Sequence, residues 1–229
     1  MHEITYTFTF GDGKQVAFEF SFEEETFTLV QATRESWPEW TWLDFNRCEN
    51  CPLSTASTPR CPVALALCDV VEASSKLVSY DELDVSVTMP DRTVSATMPA
   101  QDALRSLMGL IIPASGCPYT SYFRPMARFH LPFSDQLETL YRAASMYRLA
   151  QHMREGKQLE ARPGLHGLGD VYARLNVVNR HLVERFRAAT EKDSSLNAVV
   201  LLDIFAQLLP MQLDEPLEEL HPLFAAYLD

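Results

Sequence analysis

Hydrophobic and polar residues alternate along the start of the chain. In "ITYTFTF", residues 4–10, apolar side chains occupy every second position and threonines lie between them. "VAFEFSF", residues 16–22, repeats this alternation after the turn sequence "GDGK". A period of two gives a strand one apolar face, and glycine readily adopts the positive φ of a tight turn. The pattern predicts a β-hairpin, which a third strand over "TFTLV", residues 26–30, would extend into a meander.

A second hairpin is predicted further along. "DELDVSVTM", residues 81–89, and "RTVSATM", residues 92–98, both alternate, and they flank the turn around "PDR". From about Gln101 onward the alternation gives way to apolar residues at helical spacing. We therefore predict an α+β fold with an N-terminal antiparallel β-meander plus hairpin and a C-terminal helical bundle. The prediction is one domain over 1–229, with a β-rich half at 1–100 and a helical half at 101–229.

Helical periodicity identifies the elements of the second half. Ser134 stands before a long amphipathic stretch, as an N-cap residue does, and Pro62 suits the first position of an earlier helix. The predicted helices of the second half cover residues 100–112, 134–156, 169–192, 194–210 and 216–228.

The charge of the chain limits its binding partners. Its formal net charge of −12 argues against broad binding to nucleic acid or to anionic membranes, because both require a basic surface. No run of 18 apolar residues is present, so no transmembrane helix is expected. The N-terminus lacks the basic and apolar regions of a signal peptide. A cytoplasmic location is expected.

The five cysteines follow a suggestive pattern. The spacing is Cys48-x2-Cys51-x9-Cys61-x6-Cys68, and Cys117 lies far from the others. An odd number of cysteines and a cytoplasmic location both disfavour disulfides. Three of the five are followed directly by proline, which turns the chain just after the sulfur, as often happens at metal centres. The pattern favours metal ligation.

Helix geometry separates these cysteines. If Pro62 opens a helix, Cys61 and Cys68 lie roughly 10 Å apart along its axis, whereas the sulfur ligands of a tetrahedral site lie only about 4 Å apart. Cys68, in the apolar sequence "ALALCDVV", is therefore predicted to be a core residue, and Cys117 becomes the fourth ligand. A position at the N-cap would favour the thiolate of Cys61. The predicted ligands are Cys48, Cys51, Cys61 and Cys117.

The identity of the metal is less constrained than the ligand set. Zinc sites usually combine two close C-x2-C pairs, and this chain has one. Cys-Pro steps followed by apolar residues resemble iron–sulfur ligation, so an iron–sulfur cluster is favoured narrowly over zinc. The alternatives are that Cys68 or His130 replaces one ligand, or that all five cysteines are reduced core residues. The segment 35–45, which contains all three tryptophans, would either cover the site or pack in the core.

A basic loop and two histidine pairs are further candidate sites. Arg124, Arg128 and His130 lie among aromatic residues and suit a small anionic ligand, although arginines on an acidic protein more often pair with carboxylates. His152-x2-Glu155 and His181-x2-Glu184 each share a helix face. Their order is the reverse of the Glu-x-x-His order of di-iron bundles. The supporting carboxylates would be Glu138 and Asp203, and solvated helix faces explain both pairs better.

Several segments together resemble a known family. These are "YTFTFGDGK", "DFNRCENCPL", "CPVA", "SGCP" and "PMARFHLPF". They are similar to an uncharacterised bacterial family, a domain of unknown function, over most of the chain. The resemblance implies a bacterial origin and a single domain, and it implies no activity and no catalytic residue.

Three functions are consistent with these features. The leading hypothesis is a cytoplasmic metal-binding protein whose four cysteines hold an iron–sulfur cluster, with a redox-sensing, electron-transfer or regulatory role. The second is an enzyme with a structural zinc site that acts on a small anionic substrate. The third is an acidic helical adaptor without metal, which would bind a basic partner protein.

Overall fold

An antiparallel sheet forms the N-terminal half of the protein. The computed structural model describes residues 1–74, 78–189, 197–200, 202 and 218–228. Within them the sheet has four strands in the order β2-β1-β3-β4. The strands are β1 His2–Thr9, β2 Gln15–Phe22, β3 Glu82–Met89 and β4 Arg92–Pro99. The two predicted hairpins therefore share one sheet, in which β1 pairs with β3.

The sheet buries one face, as the alternating pattern predicts. In β1 the residues Ile4, Tyr6 and Phe8 are almost fully buried. Val85 and Val87 of β3 pair with Phe8 and Tyr6, and both valines are buried as well. The hydroxyls of the intervening threonine and serine residues lie on the opposite, more exposed face.

The prediction of a third strand in the meander is wrong. Residues 26–30 form only an isolated bridge, in which Leu29 pairs with Phe22. Phe27 has a φ of 51° and stacks on Phe22 with a ring-centroid separation of 4.3 Å. The N–H of Leu29 donates to the carbonyl of Ala114 at 2.9 Å. A positive φ breaks extended backbone, so pairing with the end of β2 is limited to this bridge and its two flanking hydrogen bonds, from the N–H of Glu23 to the carbonyl of Thr28 and from the N–H of Val30 to that of Ser21.

The helices surround the buried face of the sheet. α1 and α2 contact each other and share one hydrophobic core with that face, to which part of α5 also contributes. The helices are α1 Pro62–Ser74, α2 Ala100–Ala114, α3 Arg124–Arg128, α4 Gln136–Gly156 and α5 His166–Ala189. Shorter helical turns cover Glu39–Thr41, Thr120–Phe123, His221–Phe224 and Ala225–Leu228. The mixed α+β fold, with the sheet preceding a helical region, is thus confirmed.

Two predicted helix details differ from the structure. Asp135, not Ser134, is the N-cap of α4: its carboxylate accepts from the backbone N–H of Glu138, whose own side chain accepts from the N–H of Asp135. This reciprocal pair satisfies two N–H groups that the helix leaves free. The predicted helix over 194–210 lies mostly outside the described residues, although 197–200 are helical. In the described part of the chain, no helix is long and apolar enough to cross a membrane.

Candidate metal centre

Four cysteines meet at one small cavity. Cys48, Cys51, Cys61 and Cys117 all line it, and its volume is about 20 Å³. All four are free and partly buried. They come from three separate segments: the loop after the short helix Glu39–Thr41, the residue before α1, and the loop after α2. The structure therefore brings together the four cysteines that the sequence singles out as ligands.

Local hydrogen bonds hold the first three cysteines in place. The N–H of Cys51 donates to the carbonyl of Cys48 at 3.0 Å, which closes a tight turn. The N–H of Cys61 donates to the carbonyl of Thr41 at 2.8 Å, and the carbonyl of Cys61 accepts from the N–H of Leu65, in the first turn of α1, at 3.0 Å. The prediction that Cys61 stands at the helix start is confirmed, and the free N–H groups of that turn lie beside it.

Cys117 reaches the cavity through a glycine turn. Gly116 adopts a φ of 95°, and a Cβ placed on it would meet the Cβ of Pro62 at 3.9 Å. Only glycine occupies this backbone region without strain. The carbonyl of Cys117 then accepts from the N–H of Ser121 at 3.1 Å as the chain enters the turn Thr120–Phe123. The turn thus places Cys117 against the start of α1.

One face of α5 covers the cavity. Val178, His181, Leu182 and Arg185 line it from this side, with the spacing of a single helix face. Arg185 is only 1% exposed. The structure thus adds two polar residues, His181 and Arg185, that sequence reasoning did not place at the site.

The guanidinium of Arg185 is bound entirely by backbone oxygens. It donates to the carbonyls of Trp40 at 2.5 Å, Trp42 at 2.8 Å and Leu43 at 3.0 Å. Among the described residues, no carboxylate lies within salt-bridge distance of it. Burying a cation without a counter-ion is costly, so a negative charge in the neighbouring cavity would be stabilised.

The cysteine thiols and the Arg185 guanidinium shift each other's pKa values. Burial and, to a smaller extent, the other three thiols raise the pKa of Cys48 to about 12, and Arg185 opposes this shift. Burial also raises the pKa of Cys117, although the backbone N–H groups of Thr120 and Tyr119 oppose it. Burial lowers the pKa of Arg185, and Cys61, Cys48 and Cys51 raise it. Without a metal, Cys48 and Cys117 are therefore neutral thiols beside a buried positive charge.

The four cysteine side chains do not converge on a single point. Within the ranges that the structure describes, no group of three or more His, Cys, Asp or Glu residues is placed so that it could hold one metal ion. Any metal-binding hypothesis for the four cysteines therefore includes a rearrangement of their side chains within the cavity.

Cys68 lies in the core, as predicted. It is fully buried on α1. Its sulfur accepts from Nη1 of Arg34 at 2.6 Å and lies 3.5 Å from the carboxylate of Glu72. Burial and, to a smaller extent, the Glu72 carboxylate raise the pKa of Cys68 to about 12, and Arg34 opposes this shift. Cys68 does not line the cysteine cavity.

The basic loop does not converge on one pocket. Arg124 lies 3.4 Å from the carbonyl of Thr26, and Arg128 lies over the rings of Phe27 and Phe129. His130 is instead buried against β1. The structure therefore does not assemble these three residues as a common anion site.

The two histidine–glutamate pairs do not form a common site either. His152 and Glu155 are exposed and 3.9 Å apart. Glu184 pairs with Arg187 at 2.5 Å, whereas His181 lines the cysteine cavity. Asp203, a candidate supporting carboxylate from the sequence, lies outside the described residues.

The tryptophan segment 35–45 contributes Leu43 to the wall of the cysteine cavity, but none of its three tryptophans lines that cavity. The ring of Trp40 packs edge-on against Phe186 of α5, with centroids 5.8 Å apart. Trp42 lies under the guanidinium of Arg60, 3.9 Å from it. The backbone carbonyls of Trp40 and Trp42, rather than their rings, connect this segment to the site through Arg185.

Comparison with known proteins gives a family and no activity. No curated protein matches the chain, and no solved structure matches it. Residues 4–225 match a family described as "Domain of unknown function (DUF6901)", which agrees with the resemblance seen in the sequence. Because the match covers nearly the whole chain, the protein belongs to this family of unknown function.

Proposed function

We propose that this protein is a cytoplasmic metal-binding protein, and that Cys48, Cys51, Cys61 and Cys117 hold an iron–sulfur cluster. Zinc is the alternative occupant. The observation that carries the proposal is the placement of four thiols around one cavity beside the buried Arg185 guanidinium, which has no carboxylate partner among the described residues.

Charge supports a metal–thiolate centre over four free thiols. Metal binding deprotonates cysteine, and four thiolates around zinc or an iron–sulfur cluster leave a net negative charge. That charge would offset the buried cation of Arg185. Hydrogen bonding and burial near the sulfurs are also the features by which a protein sets the reduction potential of a cluster.

The surroundings of the cavity suit a cluster with a regulatory or electron-transfer role. Its walls include Leu43, Leu53, Val63, Val178 and Leu182, and apolar walls restrict access of water. The centre would connect the cysteine loop, the start of α1 and the loop after α2 to α5. Gain, loss or reduction of a cluster there would change how α5 is held against the β-rich half. Such a change suits redox sensing or the recognition of a partner protein.

Anaerobic purification tests the proposal. We expect a coloured protein with iron and acid-labile sulfide, and with absorbance in the visible range that reduction bleaches. Elemental analysis distinguishes iron from zinc, and X-ray absorption at the metal edge identifies sulfur ligation.

Cysteine variants assign the ligands. Cys48→Ser and Cys117→Ser should each lower the metal content strongly, because serine is a poor ligand for either metal at neutral pH. Cys68→Ala is the matched control, since Cys68 lies outside the cavity; it should retain the metal. Protein that holds neither iron nor zinc after anaerobic isolation, or metal that survives both serine variants, would refute the proposal.

A further inference from the structure

A second, larger cavity lies between α2, α4 and α5. Its volume is about 410 Å³, which is within the range of small-molecule sites. It is distinct from the cysteine cavity, with which it shares no lining residue. Apolar side chains form most of its wall, among them Ile112, Phe123, Met126, Phe133 and Leu175.

A buried amide at this wall has an unused donor. Asn179 of α5 is 1% exposed and lines the cavity. Its Nδ2 has no hydrogen-bond partner in the described part of the chain. Buried polar groups are nearly always hydrogen-bonded, and an unmade hydrogen bond in the interior costs free energy. A ligand oxygen in the cavity would supply the acceptor.

A second donor lies at another part of the wall. Nη2 of Arg142 donates to the carbonyls of Met126 at 2.6 Å and Phe129 at 2.9 Å, which orients the side chain. No carboxylate of the described residues lies within salt-bridge distance of it. Arg142 is half-buried, so its charge is screened less than that of a surface arginine.

The other charged groups at this wall are already paired. Arg105 and Asp102 lie 3.5 Å apart. The carboxylate of Asp135 accepts from the N–H of Glu138 as the N-cap of α4. His130 is buried, and its Nε2 lies 2.5 Å from the hydroxyl of Tyr6. Gln136 also lines the wall but is exposed, so the half-buried cation of Arg142 and the buried amide of Asn179 are the polar groups best shielded from water to recognise a ligand.

The two donors lie on different helices of the wall. Arg142 is on α4 and Asn179 is on α5, and apolar side chains such as Phe123 and Leu175 line the cavity with them. A ligand that binds both donors therefore carries two acceptors joined by an apolar segment.

We propose that this cavity binds an organic acid whose carboxylate pairs with Arg142, whose apolar chain lies against the walls, and whose second oxygen accepts from Nδ2 of Asn179. The site does not depend on the metal centre, and the proposal extends the protein's function beyond metal binding.

Three matched eight-carbon probes test this assignment by calorimetry: 8-hydroxyoctanoate, octanoate and 1-octanol. The hydroxy acid should bind tightest. Octanoate lacks the second oxygen and should bind about tenfold more weakly, as expected for one hydrogen bond. Octanol lacks the carboxylate and should be weaker than the hydroxy acid by tenfold or more, since bonds to charged groups are the stronger ones. No binding, or equal affinity for all three probes, overturns the proposal.

Two variants assign the two donors. Asn179→Leu should abolish the preference for 8-hydroxyoctanoate over octanoate without loss of thermal stability, because the donor it removes makes no hydrogen bond in the described chain. Arg142→Met should abolish the preference for the hydroxy acid over octanol. Arg148→Met, on the same helix and exposed, is the control and should keep both preferences. Preferences that are unchanged in Asn179→Leu contradict the assignment, whatever the stability of Arg142→Met.

Discussion

The guanidinium of Arg185 donates a 3.0 Å hydrogen bond to the carbonyl oxygen of Leu43, across the loop that carries the first two cysteines. Two further bonds go to the carbonyls of Trp40 and Trp42. One residue of α5 therefore holds the backbone that leads into Cys48, while its charge faces the thiols. Arg185 thus supports both the shape and the electrostatics of the proposed centre.

Replacing this arginine should damage both properties. Arg185→Met leaves three carbonyl acceptors without their donor, so we expect the free energy of unfolding to fall by about 3 kcal/mol or more, at about 1 kcal/mol or more for each. Metal content should fall as well, because the counter-charge is lost. Denaturant unfolding and elemental analysis measure the two effects. Arg180→Met is the control: Arg180 is exposed on the same helix and pairs with Glu49 at 3.0 Å, a surface pair worth at most about 1 kcal/mol.

Gly116 offers a test of how Cys117 is placed. Because its φ is 95°, Gly116→Ala should destabilise the protein by about 1–2 kcal/mol and reduce metal content by shifting Cys117. Gly109→Ala is the matched control, since Gly109 is exposed inside α2 and a Cβ there meets open space. Alanine in a helix interior should stabilise the protein by about 0.5–1 kcal/mol. Equal effects of the two substitutions would contradict a special role for the turn.

His130 should make stability depend on pH. Burial and, to a smaller extent, the charges of Arg142 and Arg92 lower its pKa to about 3. Below about pH 6.5 the unfolded histidine binds a proton that the folded one does not, so the free energy of unfolding falls as pH falls from about 6.5 toward 3. The slope from this residue is at most about 1.4 kcal/mol per pH unit.

Variants separate the contribution of His130 to the pH dependence of stability from that of the carboxylates, which titrate in the same pH range. His130→Gln should flatten the pH dependence of denaturant unfolding between pH 6.5 and 4, although it lowers stability at neutral pH by disturbing the contact with Tyr6. His152→Gln replaces an exposed histidine and should leave the pH dependence unchanged. A wild-type slope that persists in His130→Gln would show that His130 is not its source.

The fold was largely predictable because its signals are local. Alternation placed β1 to β4 within a residue or two, since a period-two pattern directly reports a half-buried strand. The strand predicted over 26–30 is reduced to one bridge because Phe27 adopts a positive φ and stacks on Phe22. Alternation along the chain does not show that one of its residues will leave the extended conformation.

The candidate site was predictable in part for the same reason. Proline after Cys61 and the rise of a helix were enough to separate Cys61 from Cys68. Arg185 escaped notice because "HLVERFR" reads as a polar helix face. The only local signal was its position three residues after Leu182 and next to Phe186, both buried. Its three acceptors come from more than a hundred residues earlier in the chain, and no spacing rule connects them.

The N-cap of α4 gives a last test of the difference between sequence and structure. Sequence favours Ser134 as the cap, whereas in the structure Asp135 accepts from the N–H of Glu138 at 2.8 Å. Asp135→Ala should therefore lower the free energy of unfolding by about 1 kcal/mol, the usual cost of a lost cap. The Ser134 hydroxyl lies 3.3 Å from that of Thr139, so Ser134→Ala should cost less, within about 0.5 kcal/mol for a substitution away from a cap. Denaturant unfolding of both variants decides between the two residues. A larger loss of stability in Ser134→Ala than in Asp135→Ala would show that Ser134 is the N-cap.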